Sequence, residues 1–288
     1  MILLTGATGT VGRLVAARLP AAEPVRLLAR DPARAAAFAG PHAEVVGGDF
    51  EDPASLRRAL TGVRSALLVT ADPMTHVHDE NFLQAARDAG VHHVVKLTTL
   101  SVTEPDATDL VTEWQRENEG LLRGSGLSWT LLRPRAFMSN TLGWARSIRA
   151  EGVVRGANGT MATAAIDPRD IADVAVRALT AQAEHTGRAY ALTGPAGITP
   201  VEQTEILGEL LRRPLKFVEL TDDQMLRGLL ARCPEPVARA LVKSAARGRD
   251  GSKGQVEPDV TKLLARPARW YRDWATEHLT EFGGPEPE

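Results

Sequence analysis

Met1–Leu14, MILLTGATGTVGRL, decides the fold of this chain. A short apolar run, Ile2 to Leu4, breaks into a turn with glycines at Gly6, Gly9 and Gly12, and a helical pattern follows. Strand, glycine turn and helix start in immediate succession predict a nucleotide-binding βαβ entry. The first backbone N–H groups of a helix, backed by its dipole, hold a pyrophosphate, and glycine lets the phosphate approach the main chain without a Cβ in the way. The third glycine lets helix and strand pack closely. The spacing is GxxGxxG rather than the common GxGxxG, so the position directly behind a strand carries the inference.

Outward from this entry, apolar runs alternate with helical stretches at Val25–Ala29, Glu44–Val46, Ala66–Thr70, Val94–Thr98 and Leu127–Leu132. Strands separated by helices predict an α/β, Rossmann-like doubly wound parallel sheet. Asp31-Pro32, Asp52-Pro53 and Asp167-Pro168 each place an N-cap acceptor before a proline at the first helical position, while Gly62 and Gly90 mark helix ends. Beyond about residue 195 the pattern changes. Thr199–Glu202 and Thr221–Gln224 read as capping boxes opening two helices, with a short strand at Lys216–Glu219 between them. The expected division is a Rossmann domain over 1–195, with substrate-cleft segments after residue 133, and a smaller, mostly helical lobe over 196–288. Arg247–Gln255, RGRDGSKGQ, reads as a mobile loop and the final GGPEPE as a disordered tail.

Composition narrows the function classes. Over 288 residues the net charge is only -2, which gives no electrostatic reason to expect nucleic acid or an anionic membrane as partner. No apolar run reaches the ~18 residues that span a bilayer. Cys233 is the only cysteine, so no internal disulfide forms, and the chain enters a core strand without a leader; a soluble, cytoplasmic protein is expected. Oligomeric state is not legible.

The cofactor is read at the end of the second strand. An NAD-preferring site usually has an acidic residue there for the ribose. Arg30 takes that place, 18 residues after Gly12, and Arg34 follows one helical turn later. Two guanidiniums suit a 2′-phosphate through bidentate bonds, which favours NADP(H). Solvated helix-start charges are the alternative, and Asp31 beside them is itself a possible ribose acceptor. Asp49, in the GGDF turn, is a candidate adenine contact or a turn-forming aspartate.

TGATGTVG, LLARDPARA, VGGDFEDPASLRRALTGV, KLTTLS, LSWTLLRPRAFMSN and IDPRDIADVA together resemble the NmrA-like branch of atypical short-chain dehydrogenases/reductases. The resemblance covers nearly the whole chain, more weakly after residue 220. It implies NADP(H) bound by Gly6, Thr8, Gly9, Thr10, Val11, Gly12, Arg30, Arg34, Asp49, Phe50, Thr70, Pro134 and Phe137. It further implies an aromatic ketone or quinone against Trp114, Phe137, Met138 and Trp144, with Met161 a further apolar candidate. Some members reduce quinones or ketones, and others act as redox-sensing regulators through a protein partner.

The superfamily's Tyr-x-x-x-Lys pair, in which lysine lowers the tyrosine pKa so that the phenol protonates an alkoxide, is absent. The chain holds only Tyr190 and Tyr271, with Gly194 and Ala275 four residues beyond them. Gln115 and Glu119 align near the missing pair and replace neither. The proton is then expected from a substrate hydroxyl or water, a logic shared with angucyclinone-type ketoreductases of antibiotic pathways. Thr99 and Ser101 are the candidate catalytic hydroxyls, with capping or core roles as alternatives. His76 and His78 follow the fourth strand as possible proton donors or plain surface histidines. No convincing third ligand accompanies them, so no metal is expected. Trp270, Tyr271 and Trp274 form an aromatic stripe expected to pack the small lobe.

Overall fold

The computed structural model describes residues 1–40 and 43–285. Its strands are β1 (Ile2–Leu4), β2 (Val25–Ala29), β3 (Ala43–Gly47), β4 (Ser65–Leu68), β5 (His93–Leu97), β6 (Ser128–Pro134), β7 (Val153–Gly156), β8 (Arg188–Leu192) and β9 (Lys216–Glu219). The helices in chain order are α1 (Thr10–Arg18), α2 (Pro32–Ala36), α3 (Pro53–Leu60), α4 (Val77–Asp88), α5 (Leu110–Gly124), α6 (Ala145–Glu151) and α7 (Pro168–Thr180). They continue as α8 (Gln182–His185), α9 (Pro200–Leu210), α10 (Asp222–Leu230), α11 (Glu235–Arg247), α12 (Asp259–Leu264) and α13 (Tyr271–Glu277).

Two compact units interleave along the chain. The first comprises Met1–Val102, Thr112–Pro134 and Pro168–Ala191, and the second Thr103–Val111, Arg135–Asp167 and Leu192–Glu288. The chain enters the second unit for the last time at Leu192.

The first unit is a seven-stranded sheet in the order β3-β2-β1-β4-β5-β6-β8, with parallel pairing from β3 through β6. Six strands were legible in the sequence; the seventh, β8, was not. The strands alternate their faces. Leu3, Leu28, Leu68, Val94 and Leu131 pack with Leu56 and Leu60 of α3, Phe82 of α4 and Leu122 of α5. On α1, Arg18 forms a 3.0 Å ion pair with Asp173 of α7. Gly62 and Gly90 end α3 and α4 with φ of 75° and 71°. Because β1 lies between β2 and β4, the strand order reverses beside it, the crevice where open parallel sheets bind ligands.

The second unit pairs β7 with β9 in parallel and packs Met138, Ile148, Val154, Leu207, Tyr271, Trp274 and Phe282 into one core. Both expected capping boxes form, Thr199 with Glu202 and Thr221 with Gln224. Of the aromatic stripe, Tyr271 and Trp274 are buried, whereas Trp270 is 55% exposed. The Arg247–Gln255 stretch is not an unstructured loop. It folds into two 3₁₀ turns, Gly248–Asp250 and Ser252–Gly254, and the Lys253 carbonyl accepts from Ala164 N at 2.9 Å. Of the GGPEPE tail, Gly283 and Gly284 donate back to Thr280 and Leu279, and residues 286–288 lie outside the described residues.

Candidate cofactor and catalytic sites

The glycine turn is held by its own carbonyl. Gly6 has φ +60°, and its oxygen accepts from Gly9 N at 2.9 Å. A Cβ on Gly12 would stand 2.2 Å from that oxygen and 2.7 Å from the Gly6 carbonyl carbon, so only glycine allows α1 to follow β1 this closely. Thr5 bridges the switch point: its hydroxyl donates to Leu67 O at 3.0 Å and accepts from Val69 N at 2.8 Å. Gly9 caps α1 with no side-chain acceptor, and the first turn carries no acidic residue. The opening N–H groups and the positive end of the dipole are therefore left for an anion. Thr10, Val11 and Gly12 belong to this helix start, Val11 and Gly12 being buried.

Beside the turn lies a cavity of about 520 Å³ lined by Gly6, Thr8, Arg30, Arg34, Asp49, Phe50 and His78. Arg30 and Arg34 are exposed, and neither has an ion-pair partner among the described residues. Asp31 caps α2 by accepting from Arg34 N at 3.1 Å, so one of its oxygens is already engaged. Asp49 turns the loop after β3, its carboxylate accepting from Glu51 N at 3.0 Å. Phe50 stacks on His78 with ring centroids 5.5 Å apart. A glycine-lined helix start with free N–H groups, next to two unpaired guanidiniums, fits a dinucleotide carrying an extra phosphate.

Thr70 does not line this cavity. Its buried hydroxyl donates to Asp79 Oδ2 at 2.8 Å and accepts from Lys96 Nζ at 3.2 Å, while Lys96 and Asp79 form a fully buried ion pair. Burial pulls the Lys96 ammonium below its ordinary value, with Asp79 opposing. The sequence signal for this triad was a lysine inside the otherwise apolar strand HVVKL.

Where a Tyr-Lys pair would stand, α5 offers other chemistry. Glu119 is buried and accepts from Thr98 Oγ1 and Arg133 Nε, each at 2.9 Å, so its carboxylate is committed to tying α5 to β6. Gln115 Oε1 and Asn118 Nδ2 are buried without partners among the described residues. Thr99 and Ser101 are half-buried at the 3₁₀ turn after β5, where Thr99 Oγ1 accepts a long 3.4 Å bond from Ser101 N. The histidines diverge: His76 pairs with Glu117 at 2.8 Å and contacts Asn118, whereas His78 faces the cofactor cavity. Trp114 is buried and donates to Thr75 O at 2.8 Å, an anchor for the loop before α4. Pro134 is buried at the end of β6.

Neither tyrosine is placed like the missing phenol. Tyr190 OH lies 2.8 Å from His185 Nδ1. Tyr271 OH donates to Thr141 Oγ1 at 3.1 Å, and burial pushes its pKa well above the ordinary tyrosine value. In the second unit Met138 is buried and Phe137 half-buried, and Trp144 packs against the core that contains Met138. Met138, Ile198, Ile206 and Tyr271 line a cavity of about 590 Å³ whose rim carries Glu202, Glu205, Glu209 and Asp273 against Arg272. That rim disfavours anions.

Residues 6–182 match the NAD(P)H-binding family model. The chain is 53% identical over 282 residues, 98% of it and 99% of the relative, to the (4-alkanoyl-5-oxo-2,5-dihydrofuran-3-yl)methyl phosphate reductase of Streptomyces griseus subsp. griseus. It is 34% identical to the NAD(P)H azoreductase of Xenophilus azovorans, covering 98% of this chain and 99% of that one. The crystal structure of the Escherichia coli NADPH-dependent quinone oxidoreductase complexed with NADPH superposes with a TM-score of 0.84 at 26% identity, over 96% of this chain and 99% of the other.

Proposed function

The chain belongs to the NAD(P)H-binding family, in its NmrA-like atypical short-chain reductase branch, and is an NAD(P)H-dependent oxidoreductase; from that premise we propose an NADPH-dependent reductase of conjugated carbonyl acceptors. The acceptor class comprises quinones and acylated butenolides, and an acyl-butenolide methyl phosphate is the best fit. The observation that carries this reading is the absence of a protein acid where the superfamily keeps one: Glu119 is locked to Arg133, Gln115 has no acidic proton, and both phenols are bound elsewhere.

NADPH, when bound, supplies a hydride. A simple ketone that accepts hydride becomes an alkoxide, which needs an acid at hand. A 4-acyl-5-oxo-2,5-dihydrofuran accepts it at C3, and the electron pair of the C3=C4 bond moves to C4 between two carbonyls. The resulting enolate is stabilised over both oxygens, and water delivers the proton to C4. A quinone gives a delocalised phenolate in the same way, and an aromatic ketone with an adjacent hydroxyl carries its own donor. The protein then has to position the acceptor rather than protonate it. We assign Thr99 and Ser101 as hydroxyl donors to a carbonyl oxygen, and Arg30 with Arg34 as the 2′-phosphate anchor.

Initial rates of NADPH oxidation with 1,4-naphthoquinone, an acyl-butenolide methyl phosphate and cyclohexanone test the proposal. The conjugated acceptors should exceed cyclohexanone by at least ~100-fold, the usual worth of a general acid. Comparable turnover of cyclohexanone would mean that a protein acid exists and the proposal is wrong.

A further inference from the structure

We propose that Arg135, Arg247 and Lys253 form a clamp for a phosphoryl dianion, the phosphate of an acidic acceptor; the inference rests on the reading above and adds how its substrate is held. All three cations belong to the second unit. Arg135 is the first residue after β6 and Glu104 follows the 3₁₀ turn after β5, so the cluster gathers side chains from segments far apart in sequence.

Arg135 pairs with Glu104, and Arg247 pairs with Asp109 and lies 3.4 Å from Glu104 through Nε. Lys253 Nζ donates to the Ser244 carbonyl and has no carboxylate partner among the described residues. Among the described side chains, the ion pairs of this cluster set Arg135 and Arg247 against Glu104 and Asp109, with Lys253 as a third cation. These groups are largely withdrawn from water, the Arg135 side chain being 10% and that of Arg247 15% exposed. Nε of Arg135 and Nε of Arg247 are both buried without a hydrogen-bond partner. Desolvation, reinforced by Arg247 and Arg135 and opposed by Glu104 and Asp109, pulls the Lys253 ammonium below its ordinary value. A partly buried ammonium without a carboxylate of its own, beside guanidinium nitrogens that make no hydrogen bond, is costly unless an anion completes it. Guanidinium forks and an ammonium on one spot suit the three oxygens of a phosphate monoester.

The test uses the full chain saturated with NADP⁺, so that Arg30 and Arg34 do not bind the probe. Calorimetric titration with inorganic phosphate and with phenyl phosphate should show one saturable site. Lys253→Met and Arg135→Gln should each weaken it by at least ~10-fold, the scale of a lost charge-assisted bond. Tighter binding of phenyl phosphate than of inorganic phosphate would identify an ester site, and equal binding a site for free phosphate, which would overturn the substrate role. Absence of saturable binding would overturn the clamp whatever the activity, while failure of all conjugated acceptors to oxidise NADPH would overturn only the function proposed above. In turnover, kcat/KM for an acyl-butenolide methyl phosphate should exceed that for its dephosphorylated alcohol by at least ~10-fold, with the difference in KM. In Lys253→Met that ratio should fall below about threefold. A parallel drop for both acceptors with the ratio intact would mark Lys253 as a structural prop and contradict the clamp.

Discussion

At Gly12 one methyl group separates a working turn from a broken one. Its Cβ would meet Gly6 O at 2.2 Å and the Gly6 carbonyl carbon at 2.7 Å, backbone atoms that cannot yield without the turn. Gly12→Ala should cost about 1–3 kcal/mol in denaturant unfolding and abolish NADPH binding. Gly120, exposed within α5, offers the matched control: a Cβ there meets nothing within 4 Å, and Gly120→Ala should stabilise by about 0.5–1 kcal/mol. Arg30→Ala should weaken NADPH by at least ~10-fold in a titration while leaving NADH within about twofold, because only the 2′-phosphate uses its fork. The Tyr190→Phe, Tyr271→Phe double variant should retain most of its quinone turnover; a loss of 10² or more, the cost of a missing acid, would contradict the proposed chemistry. The glycine turn was legible because close approach and positive φ leave glycine as the residue that fits. The Lys96–Asp79–Thr70 triad was not, since its members lie on β5, on α4 and in the loop after β4, and no spacing rule links a strand lysine to an aspartate 17 residues earlier.

Elements were readable where their ends carried chemistry. Asp31 and Asp52 cap α2 and α3 as expected, and the two capping boxes open α9 and α10. β7 and β8 were missed because VVRG and RAYAL are short and carry too few consecutive apolar residues to stand out, and their strand character comes from β9 and β6 beside them. The Arg247–Gln255 stretch was misread because its glycines serve tight turns instead of a free loop. β5 carries an acid-sensitive point. The Thr130 hydroxyl donates to His185 O at 2.7 Å, so at 2.9 Å it accepts from His93 Nε2–H, leaving His93 Nδ1 bare and buried. Burial, aided by His185, lowers the His93 pKa from 6.5 to about 4. The unfolded chain therefore binds this proton first. Stability from the neutral ring is complete above pH 6.5 and is lost as pH falls toward 4, up to about 3 kcal/mol. Urea midpoints across that window should fall steeply for the wild type and less so for His93→Gln; identical slopes would contradict the assignment.

At the scale of the whole molecule, among the described residues no helix is long and apolar enough to cross a membrane. The charged sites divide between the cavity beside the glycine turn in the first unit, carrying exposed guanidiniums, and the cation cluster of the second unit. The glycine turn was readable because one short segment, Thr5–Gly12, builds it, although the cavity beside it also draws on Leu28–Arg34, Gly48–Glu51 and residues after β4. The second unit is assembled from Thr103–Val111, Arg135–Asp167 and the chain beyond Leu192, so its pattern exists only after folding. The central claim is hydride transfer to a conjugated carbonyl without a protein acid. Its most direct test is mass and NMR analysis of the product formed from an acyl-butenolide methyl phosphate with NADPH deuterated at C4 of the nicotinamide. The account predicts one deuterium at C3 and a solvent proton at C4 of the reduced lactone. An unreduced lactone, or a reduced one without deuterium at C3, would contradict it.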